Sequence, residues 1–429
     1  MRNEPALLRV IGLRRLVASV INSTIGAGIF VLPAVVAAAL GPAAPLAYIV
    51  CGVMMALIVL CFASAGSRVS LTGGLYAYVE AAFGPFVGVL AGVLYSLSAS
   101  MAVAGVASVF VASLAAIWPP AGNPAVRAAA LVMLFAGLAA VNVRGVTPGA
   151  RLVEAMTLAK LIPLGVLIIV GVWFVRPEHL AVSVLPPASA VGRTAIVLIF
   201  AFVGVEVALV PSGEVTHPAR TVPRAILIAL AVTTTIYLAI QAVALGILGP
   251  ALADYASAPL AEAMARVVGP GGRLFVLAGA MVSMFGYVAG DMLGSPRALF
   301  ALARDRMLPS ALARVHPRFH TPHVAIVAYA TFVAAVAVSS SFTTLAIVAN
   351  VAILTLYLLC VLASYELQRR DVRSDGTPFV LPGGMAVPLV AAGLIVWLVS
   401  QATIRELTVE AVVLTCAALA YSLRRGRPS

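Results

Sequence analysis

Charge is scarce in this chain. Of its 429 residues, 10% are Asp, Glu, Lys or Arg and 62% are hydrophobic, with a mean hydropathy of +1.11. Soluble domains run at about 25% charged and about 45–50% apolar residues, so a water-soluble globule is excluded. Histidine is scarce too. His179, His217, His316, His320 and His323 all fall in or at the ends of loops between apolar runs, which leaves no catalytic cluster for a membrane-embedded enzyme. The four cysteines, Cys51, Cys61, Cys360 and Cys416, lie within apolar runs without metal-ligand spacing; they read as small core residues, and no metal or cofactor is expected. Strict apolar–polar alternation is missing: residues such as Ala195 to Val210, Glu206 apart, are apolar on every face, which excludes a membrane β-barrel. Rings of charge and a repeated filter motif, the marks of a channel, are also missing.

Long apolar runs are what the chain has instead. They fall at approximately 12–40, 43–67, 84–117, 125–143, 152–175, 192–213, 224–249, 271–302, 323–340, 342–366, 386–403 and 408–423. Runs of about 20 residues are long enough to cross a hydrocarbon core of about 30 Å as a helix. The expected fold is an all-α polytopic membrane protein of twelve spans, in which no connecting stretch has room for a soluble catalytic domain. The first run, Leu16 to Leu40 after Arg14 and Arg15, exceeds the about 7–15 residues of a signal-peptide core and reads as the first span.

The net charge of +12 fits this topology and needs no nucleic-acid partner. An even number of spans puts both termini on one side. Twenty arginines fall there, from Arg2, Arg9, Arg14 and Arg15 through Arg297 and Arg304 to Arg427, against Arg127, Arg176, Arg193, Arg266, Arg273 and Arg405 opposite. Under the positive-inside rule, both termini lie in the cytoplasm and the protein sits in the plasma (inner) membrane, with the lipid bilayer as its surroundings.

Glycine interrupts two spans at matching places. Gly26 and Gly204 lie 178 residues apart, as do Pro33 and Pro211. A weaker echo joins Gly84-Pro85 to Gly269-Pro270 and Leu90-Ala91-Gly92 to Leu277-Ala278-Gly279. A five-span unit is odd in number, so its second copy must be inverted, as in secondary transporters. The expected organisation is a first repeat over 1–180 (spans 1–5), a second over 181–370 (spans 6–10), and two further spans with a tail over 371–429.

In Asn22-Ser23-Thr24-Ile25-Gly26-Ala27-Gly28-Ile29-Phe30, two mid-span glycines each cost about 1 kcal/mol of helix propensity relative to Ala, so span 1 is expected to break there. A break in hydrocarbon is tolerated only where the freed backbone faces a cavity or other protein. N–H groups of the half-helix beginning near Gly28 suit a carboxylate. Free carbonyls of span 6, around Phe200 to Val203, suit an ammonium group. Together they describe a site for a zwitterion; the competing reading is a glycine-rich packing face.

The chain resembles the amino acid, polyamine and organocation transporters with the leucine-transporter fold. Gly26-Ala27-Gly28-Ile29-Phe30 carries the likeness, as does Phe200-Ala201-Phe202-Val203-Gly204-Val205-Glu206, continuing through Glu214, Pro218, Arg220, Pro223 and Arg224. Pro296-Arg297, Ala303-Arg304-Asp305-Arg306-Met307-Leu308-Pro309 and Thr321-Pro322 add to it. The resemblance covers roughly residues 10–370. It implies a central site between spans 1, 3, 6 and 8 and an alternating-access cycle.

Lys160 is the chain's only lysine. It lies about nine residues into span 5, roughly 12 Å from the cytoplasmic end. Arg cannot release its proton in a protein, whereas a desolvated Lys can. Lys160 is therefore the candidate for proton coupling, and in proton-coupled members of the resembled family a span 5 lysine contacts the broken span 1. A lysine snorkelling to the interface is the alternative. Glu206 and Asp291 are the acids read as lying within the membrane, where an ionised Asp costs about 2.5–3.5 kcal/mol unless it faces a cavity or partner. Glu206 could relay movements of span 6 or carry a proton; Asp291 stands where the resemblance places a pocket wall, or else is a structural partner. Tyr95 could reach the site from span 3, or simply pack.

The reading is a secondary transporter of amino acids, probing its substrate with Ile25, Gly26, Ala27, Gly28, Tyr95, Phe200, Ala201, Gly204 and Asp291. Proton coupling falls to Lys160 and Glu206. The partners are a small-molecule amino acid and protons; the alternative is a proton-independent exchanger of amino acids or polyamines.

Overall fold

The computed structural model describes residues 12–69, 74–115, 117–145, 150–206, 215–304, 308–373 and 378–425. Pro211, Glu214, Asp305, Arg306 and Met307, which figure in the repeat and the family likeness, lie outside them. Among the described residues the regular secondary structure is helical. Fifteen α-helices follow one another: α1 Leu13–Thr24, α2 Leu32–Leu40, α3 Ala44–Arg68, α4 Leu75–Phe83, α5 Pro85–Leu114, α6 Pro124–Val143, α7 Ala150–Gly171, α8 Ala188–Leu198, α9 Pro218–Leu248, α10 Pro259–Val268, α11 Pro270–Arg304, α12 His323–Ser339, α13 Phe342–Arg369, α14 Ala386–Val399 and α15 Ile404–Arg425.

Local sequence sets several helix starts. Five of the helices, α5, α6, α9, α10 and α11, open on proline, whose fixed φ suits the first turn and whose missing N–H would have had no helical partner there. Asn123 caps α6 by accepting the Ala125 N–H at 2.9 Å, and Ser341 caps α13 through the Thr344 N–H at 3.3 Å.

Six helical stretches are long and apolar enough to cross a membrane: Leu32–Arg68, Pro85–Leu114, Pro124–Val143, Arg220–Asp254, Pro270–Phe300 and Phe342–Arg369. A seventh is possible if the bent pair Ala386–Val399 and Ile404–Ser422, which meet at 114°, counts as one. Shorter apolar helices cover Ala159–Phe174, Ala188–Ala201 and His323–Ser339. The protein is thus an all-helical, multi-pass membrane protein. Burial separates the helices into centre and rim: 78% of the apolar window of α13 and 72% of that of α5 is enclosed by protein, against 22% for α6. α5 and α13 therefore form the middle of the molecule, and α6 offers its side chains to lipid.

Cys51, Cys61 and Cys360 are buried, as expected of small core residues, but Cys416 is exposed on the outer face of α15. The acids within apolar helices also extend beyond the two singled out in the sequence. Glu406 and Glu410 of α15 are 8% and 6% exposed.

Candidate substrate site

Regular α-helix stops at Thr24 and resumes at Leu32, with a single 3-10 turn at Gly28–Phe30 between. α8 likewise ends at Leu198, passes through a 3-10 turn at Ile199–Ala201 and turns out of helical geometry at Gly204. The two irregular segments touch. Gly204 has φ 108°, a conformation closed to most L-residues, and a Cβ placed there would stand 2.7 Å from the Ser23 carbonyl oxygen. Glycine is required at this crossing for both backbone angle and space.

Between the segments and helices α5, α7, α11 and α13 lies a cavity of about 600 Å³, within the size range of ligand pockets. Of the residues named from sequence, Gly26, Ala27, Gly28, Tyr95, Lys160, Phe200, Gly204, Glu206 and Asp291 line it. Ile25 and Ala201 do not. Ile25 is fully buried, and the Ala201 carbonyl is occupied by the hydroxyl of Tyr237 at 2.8 Å. Along a non-helical segment, neighbouring side chains point different ways, so a motif can border a cavity while some of its members face the protein.

The backbone around Gly28 retains unpaired donors. Gly26 N–H is used by the Thr24 carbonyl at 2.8 Å, and Phe30 N–H by Ala27. The N–H groups of Ala27, Gly28 and Ile29 have no hydrogen-bond acceptor among the described residues, as the start of a helical turn dictates. That is an arrangement for an anion.

Lys160 reaches this region from α7. Its Nζ donates to the Asn22 carbonyl at 2.6 Å, joining α7 to the last turn of α1. Pro163 lies inside α7, three residues on, and deprives the Ala159 carbonyl of its helical N–H. The same stretch packs closely on α11, since a Cβ at Gly279 would stand 2.9 Å from the Ala159 oxygen.

Both acids on the wall hold neutral donors. Glu206 Oε2 accepts the Gly204 N–H at 2.9 Å and the Tyr357 hydroxyl at 2.8 Å, so it ties the irregular segment after α8 to α13. Asp291 accepts the Ser295 hydroxyl on Oδ1 at 2.7 Å and the Tyr329 hydroxyl on Oδ2 at 2.6 Å. Tyr95, half exposed in the cavity, and Tyr287 both lie within electrostatic reach of these two carboxylates.

Several participants carry no sequence signal. Tyr237, Tyr329 and Tyr357 read as packing residues in apolar helices, and only their position across the fold reveals the oxygens they serve. Asn350 was equally inconspicuous; its amide donates to the Ile196 and Val197 carbonyls at 2.7 and 3.2 Å and fixes α8 against α13. Asn22 and Ser23 could have been found, since they adjoin the Gly-x-Gly motif.

A ligand-sized cavity among spanning helices, bounded by paired non-helical segments, defines a multi-pass membrane carrier. Comparison with known proteins gives the particular one: residues 11–414 match the amino acid permease family. The chain belongs to that family, within the amino acid, polyamine and organocation superfamily of transporters. It is similar to an uncharacterised transporter of Mycobacterium tuberculosis, 33% identical over 339 residues that cover 78% of this chain and 74% of the relative. The serine/threonine exchanger SteT of Bacillus subtilis is 31% identical over 334 residues, 75% of each chain. A methylthioribose transporter of the same organism is 28% identical over 392 residues, 88% of this chain and 85% of its own.

Proposed function

We propose that this permease is a secondary active transporter of amino acids across the plasma membrane, coupled to protons and working by alternating access. The observation that carries the reading is the cavity bordered by both interrupted segments and by Lys160. The substrate carboxylate takes the free N–H groups of Ala27, Gly28 and Ile29, with Gly26 leaving room beside them. Its ammonium lies toward the backbone of Phe200. Asp291, with Tyr95 opposite, forms the wall that meets the side chain and pairs with a cationic group there. Lys160 carries the transported proton, and Glu206 links the segment after α8 to α13 during the change of access.

The architecture that goes with this reading has twelve spans, with residues 1–180 and 181–370 as inverted five-span repeats broken mid-membrane in spans 1 and 6. Residues 371–429 add two spans, and both termini face the cytoplasm. The stretch Leu32–Arg68 supports the division of the first two spans: its 37 residues extend about 55 Å as helix, more than one crossing needs, and it contains Gly41 at φ 53°. The bend of 114° between α14 and α15 supports the separation of the last two.

The test is a thermal-shift screen of the purified protein against the common amino acids and polyamines. A substrate at about 100 Kd adds about 2.7 kcal/mol of stability. A shift with amino acids is expected; silence with all of them, and a shift only with another class, would remove the amino acid reading. A second reading, obligatory exchange without protons, is favoured by the name of SteT and is tested by uptake that needs amino acid inside the vesicle rather than a pH gradient.

A further inference from the structure

Tyr237 of α9 is fully buried, and its hydroxyl lies 2.8 Å from the Ala201 carbonyl oxygen and 2.9 Å from that of Thr24. These are the last residues before the two segments that border the cavity. A phenol has one proton, so it cannot donate fully to two acceptors. The count closes because the Thr24 carbonyl already receives the Gly26 N–H at 2.8 Å. Ala201 therefore takes the main bond, and Thr24 shares it. The ring is held edge-on by Tyr48 and Phe202, with centroids 6.4 and 5.5 Å away.

We infer that Tyr237 is a positioning residue of the substrate site, whose hydroxyl fixes the ends of α1 and of the turn after α8 relative to each other. It also occupies the Ala201 carbonyl, so the substrate ammonium is directed to other backbone oxygens. The inference rests on the reading above that the two segments hold the substrate.

Tyr48 supplies the control. It is a buried tyrosine touching the same ring, and its hydroxyl has no hydrogen-bond partner among the described residues. Tyr237→Phe and Tyr48→Phe are thus the same chemical change in neighbouring rings, and only the first removes a bond to the segments. Hydrogen–deuterium exchange is measured on the full-length protein in nanodiscs without substrate. Tyr237→Phe should speed exchange of amides at 25–31 and 202–206 by about tenfold or more while leaving α13 unchanged, because the buried Ala201 carbonyl is left without its donor and the two segments lose their common tie. Tyr48→Phe should change neither segment. Thermal shifts with the twenty common amino acids are recorded in parallel, with affinity expected to fall at least fivefold in Tyr237→Phe and to hold in Tyr48→Phe. Unchanged exchange in both segments, equal effects of the two substitutions, or failure of Tyr237→Phe alone to fold would overturn the positioning role. A wild-type protein that responds to no amino acid would instead overturn the substrate reading, while the exchange data still decide on Tyr237.

Discussion

α1 and α8 lead into the same cavity but are held differently. α8 is clamped from several sides: Arg193 forms two hydrogen bonds of 2.9 Å with Glu406, Asn350 holds the Ile196 and Val197 carbonyls, and Gly192 packs against Trp397. α1 buries only Leu16, Val20 and Thr24, and among the described residues its polar ties to other helices are the Lys160 bond to Asn22 and the Tyr237 contact with Thr24. One of these ties ends on a group that can gain and lose a proton, while α8 hangs on bonds that no pH change near neutrality removes. In the proposed cycle this difference would make α1 the moving part and α8 the anchor.

The sharpest way to break the comparison is at the crossing itself. Gly204→Ala places a Cβ against the Ser23 carbonyl in a left-handed conformation, and should cost about 2–5 kcal/mol and all transport, measured by thermal unfolding and vesicle uptake. Gly26→Leu acts on one side only. A Cβ there meets nothing nearer than the Thr24 oxygen at 4.0 Å, so the side chain grows into the cavity; substrate affinity should fall more than tenfold while unfolding without substrate stays near wild type. Gly28 is a poorer site for this test, because its Cβ would also press on Phe200 at 3.1 Å.

Loosening the anchored helix should have a smaller effect. Arg193→Ala leaves the buried Glu406 carboxylate without its partner; because the Arg193 side chain is itself 38% exposed, the loss is about 1–2 kcal/mol of stability, and transport rather than binding should suffer. The smallest effect belongs to selectivity. Asp291→Asn should weaken binding of basic amino acids several-fold and spare neutral ones, because a charge-assisted hydrogen bond is about twice as strong as a neutral one. Equal losses for both classes would make Asp291 a structural partner of Tyr329 and Ser295.

The all-helical, multi-pass membrane character and the places near Gly26 and Gly204 where regular α-helix is interrupted were legible in the sequence for a physical reason. A bilayer demands long apolar runs, and glycine in mid-span is costly enough to mark a place where regular helix gives way. Lys160 stood out as the only lysine. Glu206 and Asp291 stood out as charges in apolar runs, yet Glu410, as buried as Glu206, was passed over near the end of the chain. What stayed hidden were the tyrosines. Tyr357 serves Glu206 from 151 residues away, and no local pattern says which face of an apolar helix will meet a carboxylate. Ile25 and Ala201 were placed at the cavity because their neighbours are there, whereas only the backbone path decides which side chains face inward.

The central claim is that the tie between Lys160 and α1 is the one the proton gradient works through. A gradient drives a cycle only if the two conformations bind the proton with different affinity. Proteoliposomes of wild type, Lys160→Ala and Lys160→Arg, loaded at neutral pH and shifted to acid outside, measure it directly with the amino acid that gives the largest thermal shift. The account predicts acid-stimulated accumulation in wild type and at least a tenfold loss in both variants, because Ala has no proton to move and Arg cannot release its own. Full accumulation by Lys160→Arg would contradict it and move the coupling step to Glu206 or Asp291.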